Sequence, residues 1–250
     1  GRKYLITGGT SGIGAYVAKA LTSAGATVTV TGRDEGRVAE AIRAGLAEFS
    51  LVCDVSDTRA AKQGVYAACE QMDGLDAVFA NAGGDGQALP AQELDLDCFA
   101  DVLATNVIGI LATCQAAFQV LNRPGAIVVN SSVNALRPEK NFADYNASKA
   151  ASLSIAQSLA LDWADERITV NAVCPGYIAA GVSEEITNTF AAKLGVSPAE
   201  LDRSTVARVP LGRYGTAEDV AQAVAFLVSP AASYITGQAI NVCGGVMVSH

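Results

Sequence analysis

The chain has 250 residues, 50% of them hydrophobic and 6% aromatic, with a formal net charge of -8. That much apolar material can build a large core in one α/β domain, and the acidic balance argues against nucleic acid or an anionic membrane surface as a partner. No apolar run is read as long enough to span a membrane and no secretory pattern opens the sequence, while strand residues begin almost at Gly1 without an initiator Met, so the numbered chain is expected to have been trimmed.

In chain order, Lys3–Thr7 reads as a short buried strand that runs through Gly8-Gly9-Thr10-Ser11-Gly12-Ile13-Gly14 into an apolar-periodic helix carrying Ala15, Val17, Ala18 and Leu21. Further strands are expected at Thr27–Thr31, Phe49–Cys53, Ala77–Ala80, Ala126–Ser131, Thr169–Val173 and Ala239–Val242. The clearest helical patterns are Cys98–Leu121, Tyr145–Ala164 and Ala217–Val228. Alternation of this kind implies a seven-stranded parallel sheet covered on both faces, a single doubly wound domain over residues 1–250. Right-handed crossovers then gather the strand ends at one carboxyl edge, and Gly8, Asn81, Ser132 and Pro175 each follow a strand. The segment Tyr177–Tyr214 reads as a substrate lid, with helices at Glu184–Leu194 and Pro198–Val206.

Two motifs carry chemistry. The strand, glycine turn and helix start form a phosphate cradle, in which glycines let the backbone approach and the helix N-terminus offers free N–H groups to a pyrophosphate. The spacing is Gly-x-x-x-Gly-x-Gly, with Gly8, Thr10, Ser11, Gly12, Ile13 and Gly14 as candidate contacts. The second motif is Ser132 followed by Tyr145-Asn146-Ala147-Ser148-Lys149. On a helix the phenol and the ammonium lie one turn apart on one face. A lysine charge about 4 Å away favours the phenolate by on the order of 4 kcal/mol, roughly three pKa units, which would tune the tyrosine for acid–base work near neutrality.

None of the six cysteines forms a Cys-x-x-Cys pair and the single histidine is His250, so no metal site is expected. Buried, reduced thiols in a cytoplasmic protein are the better reading.

With these motifs the chain resembles a classical short-chain dehydrogenase/reductase along essentially its whole length. The resemblance implies a Rossmann fold and hydride transfer between a nicotinamide cofactor and a carbonyl or secondary alcohol. It assigns the active-site roles to Ser132, Tyr145 and Lys149: Tyr145 moves the proton, Lys149 holds the ribose and Ser132 binds the substrate oxygen. Asn106 is implied to hold a water that links Lys149 to solvent. It further implies cofactor contacts from Asp54-Val55, Asn81-Ala82-Gly83, and Pro175-Gly176 with Ile178. Two positions depart from the family pattern: Ala180 stands where many relatives have a threonine, and Cys243 stands in the usual Val-Asp-Gly-Gly.

The second strand ends in Gly32-Arg33, where NAD-preferring members carry an aspartate, so NADP(H) is favoured, with NAD(H) as the alternative. Asn134, Asn141 and Tyr177 are candidate contacts to a small, polar substrate. The alternative activity is reduction of a 3-oxoacyl thioester on an acyl carrier protein, set back by the acidic charge and by Glu166 and kept open by Arg123 and Arg167. A third is a non-catalytic NADP-binding protein. Val102, Val107, Ile110, Phe118, Leu153, Ile155, Leu159 and Leu161 give two helices more apolar faces than a monomer needs, and the run Ile240–Val248 is also apolar, so a homotetramer is expected.

Overall fold

The computed structural model describes residues 1–179, 188, 191 and 195–248. Its seven strands are β1 (Lys3–Ile6), β2 (Thr27–Gly32), β3 (Phe49–Val52), β4 (Ala77–Ala80), β5 (Gly125–Asn130), β6 (Ile168–Pro175) and β7 (Ala239–Val242). They form one sheet in the order β3-β2-β1-β4-β5-β6-β7, and every neighbouring pair is parallel. The order reverses between β1 and β4, which opens a crevice at the carboxyl ends of these strands.

The period of two along each strand feeds two separate cores. Leu5, Val78, Ala80, Ile127 and Val129 face one layer, and Tyr4, Ile6, Phe79 and Val128 face the other. The first layer holds α3 (Thr58–Met72), α5 (Ile110–Val120) and α6 (Ala143–Asp162), through Val65, Cys114, Leu153 and Leu159 among others. The second holds α1 (Gly12–Ser23), α2 (Glu35–Arg43) and, near the C-terminus, the helix Ala217–Leu227, through Val17, Leu21, Ala41, Val220 and Val224. The doubly wound architecture expected from the alternation is therefore present, with both faces of the central strands buried and the edge strands β3 and β7 only partly so.

Boundaries differ in instructive ways. The pattern Cys98–Leu121 is not one regular helix: α4 (Leu96–Leu103) passes into a π-helical turn, Ala104–Gly109, before α5 begins. That turn places Asn106 wholly inside the protein. Thr105 and Thr113 donate back to the carbonyls of Asp101 and Gly109, at 3.1 and 2.8 Å, a bonding pattern that bends helices. The helix Leu96–Val120 as a whole has 25 residues and a mean hydropathy of 1.5 over its most apolar window, enough by length and composition to cross a membrane. This corrects the expectation that no segment reaches that length. Within it Ile110, Ala112, Cys114, Ala116 and Ala117 are buried against the sheet or its neighbours, although only 33% of that window is buried.

The Tyr145–Ala164 pattern becomes α6, starting two residues earlier, and β6 runs on to Pro175. Within the lid, Pro198–Val206 is helical (α7), closed at its start by a Ser197–Glu200 capping box. The helix expected at Glu184–Leu194 lies largely outside the described residues. Ala217–Leu227 is α8, opened by a second capping box, Thr216–Asp219. Of the surplus apolar residues, Ile110, Leu153 and Leu159 are absorbed by the core, whereas Leu161 is 84% exposed. All six cysteines are free, but Cys98 is exposed and Cys69 half-buried, so the expectation of uniformly buried thiols is corrected.

Gly109 is the point of closest approach between the bent helix and the loop after β3: a Cβ there would lie 2.4 Å from the Val55 carbonyl oxygen. Gly109→Ala must push that loop away, an overpacking cost of about 1–3 kcal/mol that lowers Tm by roughly 2–12 °C. Thermal unfolding followed by circular dichroism checks it; an unchanged Tm would show that the loop yields freely.

Candidate active site

A cleft of about 610 Å³ lies at the carboxyl edge of the sheet. Its lining includes Gly8, Thr10, Ser11, Gly12, Ile13, Arg33, Asp54, Val55, Asn81, Ala82, Gly83, Ser132, Tyr145, Lys149, Pro175, Gly176 and Ile178. Residues from seven separate stretches of sequence thus meet where the strand order reverses.

The glycine turn forms because Gly8 and Gly12 adopt left-handed backbone, with φ of +64° and +52°. Ser11 is the extended N-cap of α1 but makes no side-chain cap, and the first turn contains no acidic residue. Its leading N–H groups therefore remain available to an anion. Gly14 cannot carry a side chain, since a Cβ would lie 2.3 Å from the Gly8 oxygen and 2.7 Å from Asn81 Nδ2. Asn81 Nδ2 donates to the carbonyls of Thr7 (2.9 Å) and Gly8 (3.2 Å), and the Thr7 hydroxyl accepts from the backbone N–H of Asn81 and Ala82.

At the other end, Tyr145 and Lys149 project from the first two turns of α6. The Lys149 ammonium lies 5.5 Å from the centre of the Tyr145 ring and donates to the Asn130 carbonyl at 2.9 Å. The Ser132 hydroxyl accepts from Asn134 N–H at 3.1 Å and hydrogen-bonds the Tyr145 phenol. With its oxygen accepting from that N–H, its own proton points to the phenol oxygen, the sense in which the bond favours the phenolate. Burial pushes the phenol up to about 12, the Ser132 hydrogen bond pulls it down and the Asp85 charge adds to the rise. Burial also lowers the Lys149 ammonium to about 8, against the Asp85 charge. The sequence expectation that Lys149 draws the phenol towards neutrality is thus corrected for the free protein. The burial that brings the two groups together desolvates both, and each moves towards its neutral form.

Asn106 sits behind this pair. Its Oδ1 accepts from Gly84 N–H (2.8 Å), and its Nδ2 donates to the Gly84 carbonyl (2.9 Å) and to Ser148 Oγ (3.0 Å). Both amide hydrogens are engaged, so the side chain braces the loop after β4 against α6 and can meet a water only as acceptor.

At the far end of the cleft, Arg33 and Arg37 both line the wall, with Gly32 and Asp34. Burial opposes ionisation of Asp54, but hydrogen bonds from the Ser56 hydroxyl and N–H and the nearby Arg33 charge hold its carboxyl below the usual range.

The candidate substrate contacts fare differently. Asn134, Asn141 and Tyr177 do not line the cleft. Asn134 Nδ2 donates to Asn146 Oδ1 (3.0 Å), Asn141 has a left-handed φ of +67°, and the Tyr177 hydroxyl donates to Glu139 Oε1 (2.7 Å). Each has a structural partner or a backbone reason for its identity. Ala180 lies outside the described residues. Sequence reasoning passed over Asn130, Arg37 and Thr105. Asn130 stands two places before Ser132 at a strand end, and Arg37 follows Arg33 by four, signals that were present but common.

The lining fits a dinucleotide. Besides the side-chain-free cradle, Asn130 lines the cleft, and its Oδ1 is a buried acceptor with no hydrogen-bond partner among the described residues. Among these residues no group of His, Cys, Asp and Glu could hold a metal ion. A doubly wound sheet with an anion-binding turn at its switch point and a buried Ser–Tyr–Lys set defines a nicotinamide-dependent oxidoreductase.

Comparison with known proteins agrees. The family model described as enoyl-(acyl carrier protein) reductase matches residues 8–247. Glucose 1-dehydrogenase of Gluconobacter oxydans is 32% identical over 255 residues, covering 98% of this chain and 92% of its own. The structure of a single-substitution variant of actinorhodin polyketide ketoreductase with NADPH superposes with a TM-score of 0.90 at 32% identity, covering 98% of this chain and 97% of that one. NAD+-bound xylitol dehydrogenase gives a TM-score of 0.89 at 29% identity, covering 98% of both. The chain belongs to the classical short-chain dehydrogenase/reductase family, and it is an NAD(P)-dependent oxidoreductase acting on carbonyl and alcohol groups.

Burial of Lys149 has a measurable consequence. Its value falls from 10.5 to about 8 on folding, so the folded chain binds fewer protons than the unfolded one between these limits and stability rises with pH there. Below pH 8 the buried charge weighs against the fold by about 3 kcal/mol, less whatever the Asn130 hydrogen bond returns. Lys149→Met is expected to melt above the wild type at pH 7, with the gap closing as pH passes 8 towards 10.5. A lower melting temperature at pH 7 would mean that the hydrogen bond outweighs desolvation.

Proposed function

We propose that this enzyme interconverts the carbonyl and secondary alcohol of a small, polar substrate, with NADP(H) favoured over NAD(H). The observation that carries the reading is the meeting of Ser132, Tyr145 and Lys149 with the glycine turn in one cleft. When bound, the cofactor supplies or takes up a hydride. The chain's own residues do the rest. Tyr145, protonated in the free enzyme, gives its proton to the substrate oxygen in reduction and recovers it in oxidation. Ser132, with its oxygen anchored by Asn134 N–H, donates to the same oxygen. Lys149 holds the ribose hydroxyls and, once the cleft is filled, supports the phenolate. Asn106 acts by fixing Gly84 and Ser148.

The cofactor is held at Gly8, Thr10, Ser11, Gly12, Ile13 and Gly14, at Asp54-Val55 and Asn81-Ala82-Gly83, and at Pro175, Gly176 and Ile178. The preference for NADP(H) rests on Arg33, and on Arg37 at the same end of the cleft, two guanidinium groups suited to a 2′-phosphate. The carrier-protein alternative loses support from Arg123. That guanidinium donates to the carbonyls of Leu121 and Phe118 and stacks 5.2 Å from the Phe118 ring, so it is not a free docking charge.

We further infer a homotetramer, supported by Leu161 and Ile108, which stand out on the two long helices at 84% and 51% exposure, and a cytoplasmic setting, in keeping with six free cysteines. Light scattering at micromolar concentration tests the assembly; a mass near one 25.5 kDa chain overturns it.

The activity is tested by a panel of small hydroxyketones, polyols and plain ketones, run in both directions with both cofactors. Hydride transfer with NADPH at least about tenfold more efficient than with NADH is expected, and Arg33→Ala should erase most of that margin. Higher efficiency with NADH overturns the cofactor preference. Tyr145→Phe should lower kcat by about 10²-fold or more while leaving NADPH binding, read by fluorescence titration, largely intact; near-normal turnover in that variant would sink the proton-transfer role.

A further inference from the structure

The loop after β4 is fastened at two points and free between them. At one end, Gly84 is gripped on both its N–H and its carbonyl by the Asn106 amide. At the other, the Gln87 N–H donates at 2.8 Å to Asp144, a carboxylate with no exposure that also accepts from Tyr145 N–H. Gly86 is pressed so closely on this carboxylate that a Cβ would lie 2.3 Å from Asp144 Oδ1, while a Cβ on Gly83 would stand 3.6 Å from Lys149 Nζ. Asp85 is therefore presented between a residue beside Lys149 and a residue packed against the carboxylate next to Tyr145.

Its side chain lines the cleft and makes no hydrogen bond or ion pair among the described residues. Of the other formally charged residues in the lining, Arg33, Asp34, Arg37 and Asp54 belong to the far end, beside Gly32 and β3. Lys149 is turned towards Asn130 O. Asp85 is thus an exposed carboxylate on a fastened loop beside the reacting end, an acceptor without a hydrogen-bond partner among the described residues.

We propose that Asp85 is a specificity-determining residue that accepts a hydrogen bond from a hydroxyl or ammonium group adjacent to the reacting carbon. The substrate class is then a 2-hydroxy- or 2-amino-ketone, or the matching diol or amino alcohol, and 2-keto acids are repelled. This deepens the function proposed above and rests on its assignment of Ser132, Tyr145 and Lys149 to the reacting end. A hydrogen bond to a charged acceptor in such a site discriminates by on the order of tenfold or more.

The test is steady-state kinetics of the full chain with NADPH and four ketones of nearly equal size: 2-butanone, hydroxyacetone, aminoacetone and pyruvate. Asp85 has no left-handed φ, so Asp85→Asn and Asp85→Lys leave the backbone unstrained. The wild type should favour hydroxyacetone and aminoacetone over 2-butanone, mainly through KM, and use pyruvate least. Asp85→Asn should cut the aminoacetone to 2-butanone ratio of kcat/KM about tenfold, and Asp85→Lys should move the preference to pyruvate. Whichever donor is used better identifies hydroxyl or ammonium as the group read. Ratios unchanged in both variants overturn the proposal. So does an equal loss on all four ketones with a shifted pH profile, which would make Asp85 a modulator of Lys149 and Tyr145. Turnover of 2-butanone without any donor preference overturns this inference alone, whereas turnover of none of the ketones overturns the assignment of the reacting end and this inference with it.

Discussion

One run of hydrogen bonds across the crevice holds the two halves of the site in register. Asn81 Nδ2 donates to the carbonyl of Gly8, Asn130 Nδ2 donates to Asn81 Oδ1 at 2.8 Å, and Lys149 Nζ donates to the Asn130 carbonyl. The run steps from the glycine turn after β1 to β4, to β5 and finally to α6, so it crosses the point where the sheet reverses its order. Parallel strands at this edge have no ladder partner beyond their last residue, and their terminal carbonyls must be met by side chains or ligand. Asn81 does this for the carbonyls of Thr7 and Gly8 and Lys149 for that of Asn130, with the Asn130 amide joining the two. In doing so they fix the glycine turn relative to the lysine four residues beyond Tyr145. A displacement at either end is carried to the other through groups that are already engaged.

The same burial sets the proton chemistry. A phenol pushed up to about 12 and an ammonium lowered to about 8 are both consequences of lost water, and neither needs the other. The cleft therefore holds the tyrosine as a proton donor at neutral pH and keeps its counter-charge close by. In the mechanism proposed above, stabilisation of the phenolate is left to the moment when charge develops on the substrate oxygen and Ser132 and Lys149 face it together. The fastening of Gly84 by Asn106 and of Gln87 by Asp144 serves the same end, since a donor set of this kind works only if its neighbours do not rearrange.

How far the sequence revealed this depended on whether a feature is local. The strand–turn–helix start, the Tyr145 and Lys149 spacing and the alternation of strands and helices are short-range patterns, and the structure has each of them where the pattern lies. The π-helical turn at Ala104–Gly109 carries no local signature, since Ala104 to Val107 read as ordinary helix, and it is tertiary burial of Asn106 that makes the widened turn worthwhile. The asparagines of the 130s and 140s misled for a related reason. Asn134 and Asn141 look like ligand contacts in a polar loop, yet Asn134 is bound to Asn146, whose Nδ2 donates to the Glu139 carbonyl at 2.8 Å, and Asn141 supplies left-handed backbone. The shift of the Tyr145 phenol was misjudged because a pairwise charge estimate omits the desolvation that proximity inside a protein entails.

The departures at Ala180 and Cys243 can be weighed against what holds the turn after β6. Gly215 N–H donates to the Tyr177 carbonyl at 2.9 Å and Ala179 N–H donates to the Gly215 carbonyl at 2.8 Å, so the turn is laced to the segment before α8 by its own backbone. From the other side, Glu139 accepts from the Tyr177 hydroxyl and pairs with Arg208, whose guanidinium lies 5.0 Å from the centre of the Tyr177 ring. Beneath it, Gly176 leaves room for Cys243, whose Cβ would stand 2.8 Å from any Cβ at that position. Three elements among the described residues therefore constrain Gly176 and Ile178. A thiol at 243, smaller than an aspartate and content without a counter-charge, suits a site pressed against backbone. At position 243 packing against Gly176 stands in place of a charged side chain, around a cleft that gathers Ser132, Tyr145, Lys149 and the glycine turn, as in a working enzyme rather than a scaffold that has lost its chemistry.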